Sequence, residues 1–390
     1  MTPRAISILS LAVAAAIWLP AMHLFYRPNA ATSPAAPLSS YTITLMRSQT
    51  DFWQNPDRQK REWGVMRATN PEWDFMGRSY VAWSMANIAL CDPARKGECL
   101  RVMDQIIADT LWRERENGVY YFLMPYAHDK PFLQKTSGNQ FLDGEIALML
   151  GLRRLVEDRQ DYKDLLAIRV KRITARMESS PTLSSESYPD ECWTFCNSVA
   201  LAALATADAL DGTDHSALMR RWIALAKSRL TDPKTGLLIS SYRLNGDVIS
   251  GPQGSSVWMV AHCLQVVDAE FARDQYERGK KLLGHETLGF GYSAEWPKVW
   301  QGPQNVDSGV VLPGLDASPG STGLAVLGAS SFHDDAYRDA LLATIDYGAL
   351  PIEKNGALRY AVSNQVGDAV LLYASVVGPA WDLVQKRRVK

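Results

Sequence analysis

From about residue 72 onward the chain repeats one pattern: an amphipathic stretch of 12–20 residues, a short polar turn, and a second amphipathic stretch. Apolar residues recur at spacings of three and four, as at Leu148, Leu152 and Leu155, which fits helices. Six pairs can be marked in this way. They are Asp74–Leu90 with Glu98–Trp112, Asn139–Val156 with Tyr162–Met177, and Cys192–Leu210 with Asp214–Leu230. The others are Ser255–Val267 with Phe271–Leu283, Gly309–Ala329 with Asp334–Ile345, and Gln365–Val376 with Gly378–Lys386. A second motif recurs between pairs, a glycine followed by short extended apolar or aromatic residues. It reads Gly118-Val-Tyr-Tyr-Phe122, Gly236-Leu-Leu-Ile-Ser-Ser-Tyr242, Gly289-Phe-Gly-Tyr292 and Gly356-Ala-Leu-Arg-Tyr360. Six helical hairpins joined by such connectors predict an all-α fold, an (α/α)6 barrel of inner and outer helices with short β connectors. The long connectors on one rim of such a ring enclose a central cavity, the natural place for a site.

The amino-terminal pattern differs. Arg4 precedes Ala5–Phe25, an apolar run of about twenty residues whose one strongly polar side chain is His23. That length can cross a bilayer and exceeds the usual apolar core of a signal peptide. Residues 1–27 therefore read as a signal-anchor or signal peptide, 28–45 as a small-residue, Pro-containing linker, and 46–390 as the barrel domain. The expected location is periplasmic, tethered to the inner membrane, with a cleaved and soluble form as second choice. Apolar residues make up 47% and charged residues 21% of the chain, which is the balance of a globular protein. The net charge of −1, without a basic stripe, gives no footing for nucleic acid. Twelve Trp and fifteen Tyr are many for 390 residues and suit an aromatic-walled pocket for a small molecule. Among the five cysteines, Cys91 and Cys99 bracket a polar turn and are the best disulfide candidates. Cys192 and Cys196 could bridge only with favourable local geometry. Self-association into a homo-oligomer is left open.

Candidate chemistry concentrates in Tyr188-Pro-Asp-Glu-Cys-Trp-Thr-Phe-Cys-Asn-Ser198, two carboxylates and two thiols ahead of the apolar run Val199–Leu210. Pro189 and Asp190 read as a helix start, with Asp190 as cap. A helix beginning near Glu191 would set Cys192 and Cys196 on one face and lower their thiol pKa. The plainer reading is a cap and two buried structural cysteines. Glu145 stands out because it lies among Phe141, Leu142, Ile146 and Leu148, where a charge is costly unless paired or protonated. Burial would lift its pKa toward neutrality and fit it for general acid or base work; pairing with Arg153 is the competing expectation. Asp307 and Ser308, in a Gly/Pro-rich loop after Trp296-Pro-Lys-Val-Trp300, are candidates for substrate contact or for an ordinary Asx turn. Tyr242, Trp193 and Trp296 complete the substrate-binding set. Spacing alone does not make Cys192, Cys196, His262 and His285 a zinc site, so no metal is expected.

Several motifs together resemble one family. Cys196-Asn-Ser-Val-Ala200, Leu210-Asp-Gly-Thr-Asp214, Leu230-Thr-Asp-Pro233 and Ser241-Tyr242 are similar to the corresponding run of the linalool dehydratase-isomerases. The likeness extends to Ile88-Ala-Leu-Cys-Asp-Pro93, to Gly144 with Leu148-Met149, and to Ala357-Leu-Arg-Tyr360. The resemblance implies an (α/α)6 fold, export, no organic cofactor, and acid–base chemistry on an isoprenoid alcohol. Departures are specific: the first cysteine of the family's pair falls on Ser187, its histidine on Glu145, and a site tyrosine near Met76. The family's early cysteine has no counterpart in residues 59–67.

The leading expectation is therefore a cofactor-independent lyase or isomerase acting on a small apolar alcohol or alkene, with Glu145, Asp190, Glu191 and Cys196 as catalytic candidates. The alternatives are a glycan-active (α/α)6 enzyme of the envelope, with Trp193 and Trp296 as stacking platforms, and a non-catalytic envelope binding protein. A terpenoid site would be apolar with few polar groups. A glycan site would be an open groove rich in hydrogen-bonding groups. The binding-protein reading expects that Glu145 and Asp190 share no cavity.

Overall fold

The computed structural model describes residues 2–26, 37–135, 138–304, 309–314 and 316–388. An apolar helix α1 (Pro3–Ala21) and a 3-10 turn, Met22–Tyr26, come first. Two further helices, α2 (Ser40–Gln54) and α3 (Pro56–Thr69), lead into the paired helices. The first three pairs are α4 (Pro71–Cys91) with α5 (Lys96–Asn117), α6 (Gln140–Val156) with α7 (Gln160–Glu178), and α8 (Thr194–Asp211) with α9 (Ser216–Arg229). The rest are α10 (Gly254–Leu264) with α11 (Ala269–Leu283), α12 (Pro319–Ser331) with α13 (Asp335–Ala349), and α14 (Gln365–Ala374) with α15 (Pro379–Arg388). Helices α4, α6, α8, α10, α12 and α14 pack each on the next, and α14 packs back on α4, so the inner ring is closed. The all-α barrel expected from the sequence is the observed architecture.

Short antiparallel strands lie in the connectors. β1 (Cys192–Trp193), β2 (Ser241–Tyr242) and β3 (Val248–Ser250) form one small sheet, with Cys192 opposite Tyr242. β4 (Gly284–Thr287) pairs with β5 (Phe290–Ser293), and β6 (Pro351–Lys354) with β7 (Ala357–Tyr360). The recurring connector glycine has a physical reason: Gly118, Gly236, Gly289 and Gly356 have φ of 79°, 70°, 78° and 72°, left-handed values that cost a side chain energy.

What fixes the rim is the way each inner helix starts. Asn70, Asn139, Ser318 and Asn364 accept hydrogen bonds from first-turn backbone N–H groups of α4, α6, α12 and α14. The start of α8 is held instead by the Thr194 N–H on the Ser240 carbonyl (2.8 Å), and that of α10 by the Gly254 N–H on the Glu295 carbonyl (2.7 Å). Close approach of the inner helices needs small residues: a Cβ on Gly144 would stand 3.3 Å from the Ala200 backbone nitrogen.

Three boundaries differ from the sequence reading. Helix α8 begins at Thr194, because residues 192–193 are used in strand pairing and Asp190 has a left-handed φ of 55° that no helix start adopts. Helix α2 begins at Ser40 and buries Tyr41 and Leu45, so the fold starts before residue 46. The sixth outer place is taken by α2, which packs on α14 and β7, while α15 crosses the far end of the ring against α4 and α8. There Trp381 donates to the His262 carbonyl and the Ala380 N–H to Asn87. All five cysteines are free thiols, so neither Cys91–Cys99 nor Cys192–Cys196 is bridged.

Candidate active site

A cavity of about 590 Å³ opens at the rim where the six inner helices begin. Each helix contributes its first turn or two: Glu72, Trp73 and Met76 from α4, Phe141 from α6, Phe195 and Cys196 from α8. Ser255 and Ser256 come from α10, Pro319, Gly320, Gly323 and Leu324 from α12, and Val366, Gly367 and Val370 from α14. Six helix dipoles thus turn their positive ends to the same space, an arrangement that favours negative charge there.

Glu72 is the carboxylate that meets this field. The Tyr188 hydroxyl donates to its Oε1 (2.5 Å) and accepts from the Met124 N–H (2.8 Å). Tyr126 stacks on Tyr188 with ring centroids 4.7 Å apart. Burial, reinforced by the Glu72 charge, pushes the Tyr188 phenol far above its ordinary range, so it acts as a fixed donor. Sequence reasoning missed Glu72 because an acid after Asn70-Pro71 reads as ordinary first-turn composition. The Tyr188 side of the pair lies in the 188–198 segment that the sequence marks.

Cys196 lines the cavity floor, and Glu145 lies behind it. Glu145 is 1% exposed, one helical turn below Phe141, and receives a hydrogen bond from Ser79, itself one turn below Met76. Desolvation raises its pKa to about 8, with the Ser79 bond acting against that rise and the Glu72 charge adding to it. Arg153, the cation expected to neutralise it, is paired with Asp104 instead. The Cys196 thiol is pushed well above the usual thiol range by burial, with the Ser187 hydroxyl beside it pulling down and the Glu145 carboxyl pushing up. Burial thus reverses the lowered thiol pKa expected from a helix start. A further carboxylate, Glu295, accepts from the hydroxyl (2.5 Å) and N–H (3.3 Å) of the cavity residue Ser255.

The remaining sequence candidates are placed as follows. Trp193 lines the cavity wall. Asp190 is on the rim, ion-paired with Arg243 at 2.5 Å, and Glu191 lies near the Tyr126 hydroxyl at 3.4 Å. Glu145 and Asp190 therefore share no cavity, the outcome the binding-protein reading expects. Tyr242 is fully buried behind the wall, bonded to Ser184 (2.7 Å), which also accepts from Trp222. Trp296 stacks on Trp300 in the connector before α12 and is outside the lining set. Asp307 and Ser308 lie outside the described residues. Asp143, offset from Glu145, is held by Arg169 and Arg176. His262 is enclosed between Ser331 and Tyr373 and His285 stacks on Tyr292. Among the described residues no three His, Cys, Asp or Glu side chains converge to hold a metal.

Fold and site together define an (α/α)6-barrel protein with an apolar cavity at the inner-helix starts. The family described as linalool dehydratase/isomerase matches residues 154–366, more than half of the chain, and the chain belongs to that family. Among solved structures it is similar to the unsaturated glucuronyl hydrolase of Bacillus sp. GL1, at 12% identity and a TM-score of 0.52, covering 86% of this chain and 94% of that one. An alpha-mannanase of Bacteroides thetaiotaomicron also matches, at 10% identity and a TM-score of 0.49, covering 80% and 86% of the two chains. These structural likenesses are of fold alone.

Proposed function

We propose that the chain is an acid–base enzyme, needing no organic cofactor, that dehydrates, hydrates or isomerises a small, largely apolar alcohol or alkene of terpenoid kind. The make-up of the cavity carries this reading. Among the described lining residues Glu72 is the one carboxylate and Cys196 the one thiol, set into walls of Trp73, Met76, Phe141, Trp193, Phe195 and Leu324. Such walls stabilise an apolar substrate by roughly 25 cal/mol per Å² buried and exclude competing water.

In the dehydrating direction the neutral Cys196 thiol gives its proton to the substrate hydroxyl. The C–O bond breaks and water leaves. Glu72 takes a proton from the adjacent carbon, whose C–H electron pair becomes the new double bond. Glu145, which holds its proton near neutral pH, resupplies the thiol from behind, and the resting state returns when Glu72 gives its proton to solvent and Glu145 takes one up. Tyr188 fixes the Glu72 carboxylate. The reverse sequence is hydration, and return of water to the other end of an allylic cation is isomerisation. Asp190 and Glu191 shape the rim in this reading, and Trp193 forms part of the wall. The glycan-active alternative draws its support from the polar share of the lining, Thr69, Tyr188, Ser255, Ser256, Ser363 and Asn364 beside Glu72, which could bond a sugar ring.

The test is incubation of the full chain, in detergent and without oxygen, with linalool, myrcene and geraniol, followed by gas chromatography. Interconversion is expected, with Glu72→Gln, Cys196→Ser and Glu145→Gln each slower by about 10²-fold or more. A folded sample that leaves all three unchanged but cleaves uronic-acid oligosaccharides would transfer the site to glycans. Activity on neither class would favour a binding protein.

A further inference from the structure

Exposed apolar side chains are distributed unevenly over the two ends of the barrel. At the cavity rim stand Val248, Leu288, Val310, Leu350, Ile352 and Val362, with Val310 and Val362 68% and 67% exposed at the cavity mouth itself. Three far-end turns are polar instead, Glu157-Asp158-Arg159, Gly212-Thr213-Asp214-His215 and His333-Asp334, while Val266-Val267 and Val376-Val377 of two others are buried or half-buried. A patch of this kind ringing a pocket marks a surface that meets an apolar partner.

The amino-terminal helix is held at that same rim. The span Pro3–Tyr26 is apolar and unburied, and long enough to cross a bilayer. Its last turn rests on the barrel. The Tyr26 ring meets Tyr347 edge-on at 5.1 Å and Phe290 at 6.3 Å, and His23 meets Phe290 at 6.2 Å. His23 also covers Gly289, where a Cβ would come within 2.4 Å of its ring. Tyr347 is in the last turn of α13, and the end of α13 is bonded to the cavity mouth: the Val362 N–H donates to the Ala349 carbonyl and the Ala361 N–H to the Leu350 carbonyl, both at 3.0 Å. Anchor, apolar rim and mouth therefore form one continuous surface.

We infer that the rim carrying the cavity mouth lies against the bilayer that α1 crosses, so that the cavity opens onto the lipid phase and takes its substrate from there. The orientation follows from anchor and rim; that the cargo is an apolar alcohol or alkene rests on the function proposed above. A ligand that partitions into lipid would reach the site without crossing water, and the exposed valines would be covered by acyl chains and headgroups.

The experiment uses the full chain in vesicles of phosphatidylcholine and phosphatidylglycerol, prepared with and without brominated acyl chains. Val362→Cys and Val310→Cys carry an environment-sensitive fluorophore at the mouth, and Asp214→Cys carries it at the far end. The unsubstituted chain, labelled in parallel, corrects for reaction at native thiols, and circular dichroism melts confirm that each variant is folded. Bromolipid should quench the 362 and 310 labels at least twofold and leave the 214 label unchanged. Equal quenching at both ends, or none at 362 and 310, overturns the inference, as does a chain that does not float with the vesicles. Quenching needs no turnover. Quenching without conversion of linalool would remove the proposed chemistry and keep the orientation; conversion without quenching would do the reverse.

Discussion

Glu145 is where a single residue's environment becomes measurable. Burial raises its pKa to about 8, so the folded chain keeps a proton that the unfolded chain releases near the ordinary carboxyl value. Between those two values the native state binds more protons than the unfolded state, and stability falls as pH rises. The contribution is fully present below about pH 4.5 and is lost by about pH 8, on the order of 5 kcal/mol in all. Asp368, raised to about 7 by burial, slopes the same way, so the comparison must be between the wild type and Glu145→Gln. Thermal melts from pH 5 to 8 should show the wild type losing stability relative to the variant; parallel curves would mean that Glu145 is ionised and solvated. The sequence made this residue visible because a carboxylate in an unbroken apolar helix face has few explanations. It hid Glu72, since what makes Glu72 chemical is its bond to Tyr188, 116 residues away, and spacing along one helix carries no sign of that contact.

At the scale of elements, local periodicity sufficed for the inner helices and failed where distant backbone decides. The apolar spacing in α6 and α8 marked both helices, but the start of α8 is set by β1 pairing with β2, some fifty residues on. The same is true of α10, whose first residue is clamped by the connector that precedes α12. A Cβ on Gly254 would stand 2.0 Å from Ser321 Oγ and 2.4 Å from the Ala294 carbonyl oxygen. The carbonyl is backbone and cannot swing aside, so α10 would have to shift. Gly254→Ala should therefore cost about 1–3 kcal/mol by overpacking. Because Ser255 and Ser256 lie in the same turn, it should also lower turnover in the remaining folded enzyme. Denaturant melts and rates per folded molecule measure the two effects separately. Gly212→Ala is the control for strain without crowding, since its φ of 67° is left-handed and nothing stands within 4 Å.

For the whole molecule the decisive fact is how the ring closes. The hairpin count in the sequence reached six by pairing α14 with α15, yet α15 lies across the far end and the outer place beside α14 belongs to α2. Nothing in the 40–54 segment alone announces this: of its buried Tyr41, Leu45, Met46, Phe52 and Trp53, the last two pack on nearby Trp63, but Tyr41 meets Tyr360, more than 300 residues later. Burying a side chain of this size is worth about 1.5–3 kcal/mol, so the five together rival the 5–15 kcal/mol by which a domain is usually stable. A chain beginning at Leu38 keeps this helix and, among the described residues, gives up the Tyr26 and His23 contacts of the anchor. It should melt cooperatively within a few degrees of the full chain. A chain beginning at Pro56 would leave α14 and β7 without their cover and the first-turn groups of α4 beside an open seam. It should show no cooperative transition, bind a hydrophobic dye and lose turnover together. If the shorter chain melted cooperatively, the ring would be closed by α14 and α4 alone, and α2 would be an accessory to the barrel instead of its sixth outer member.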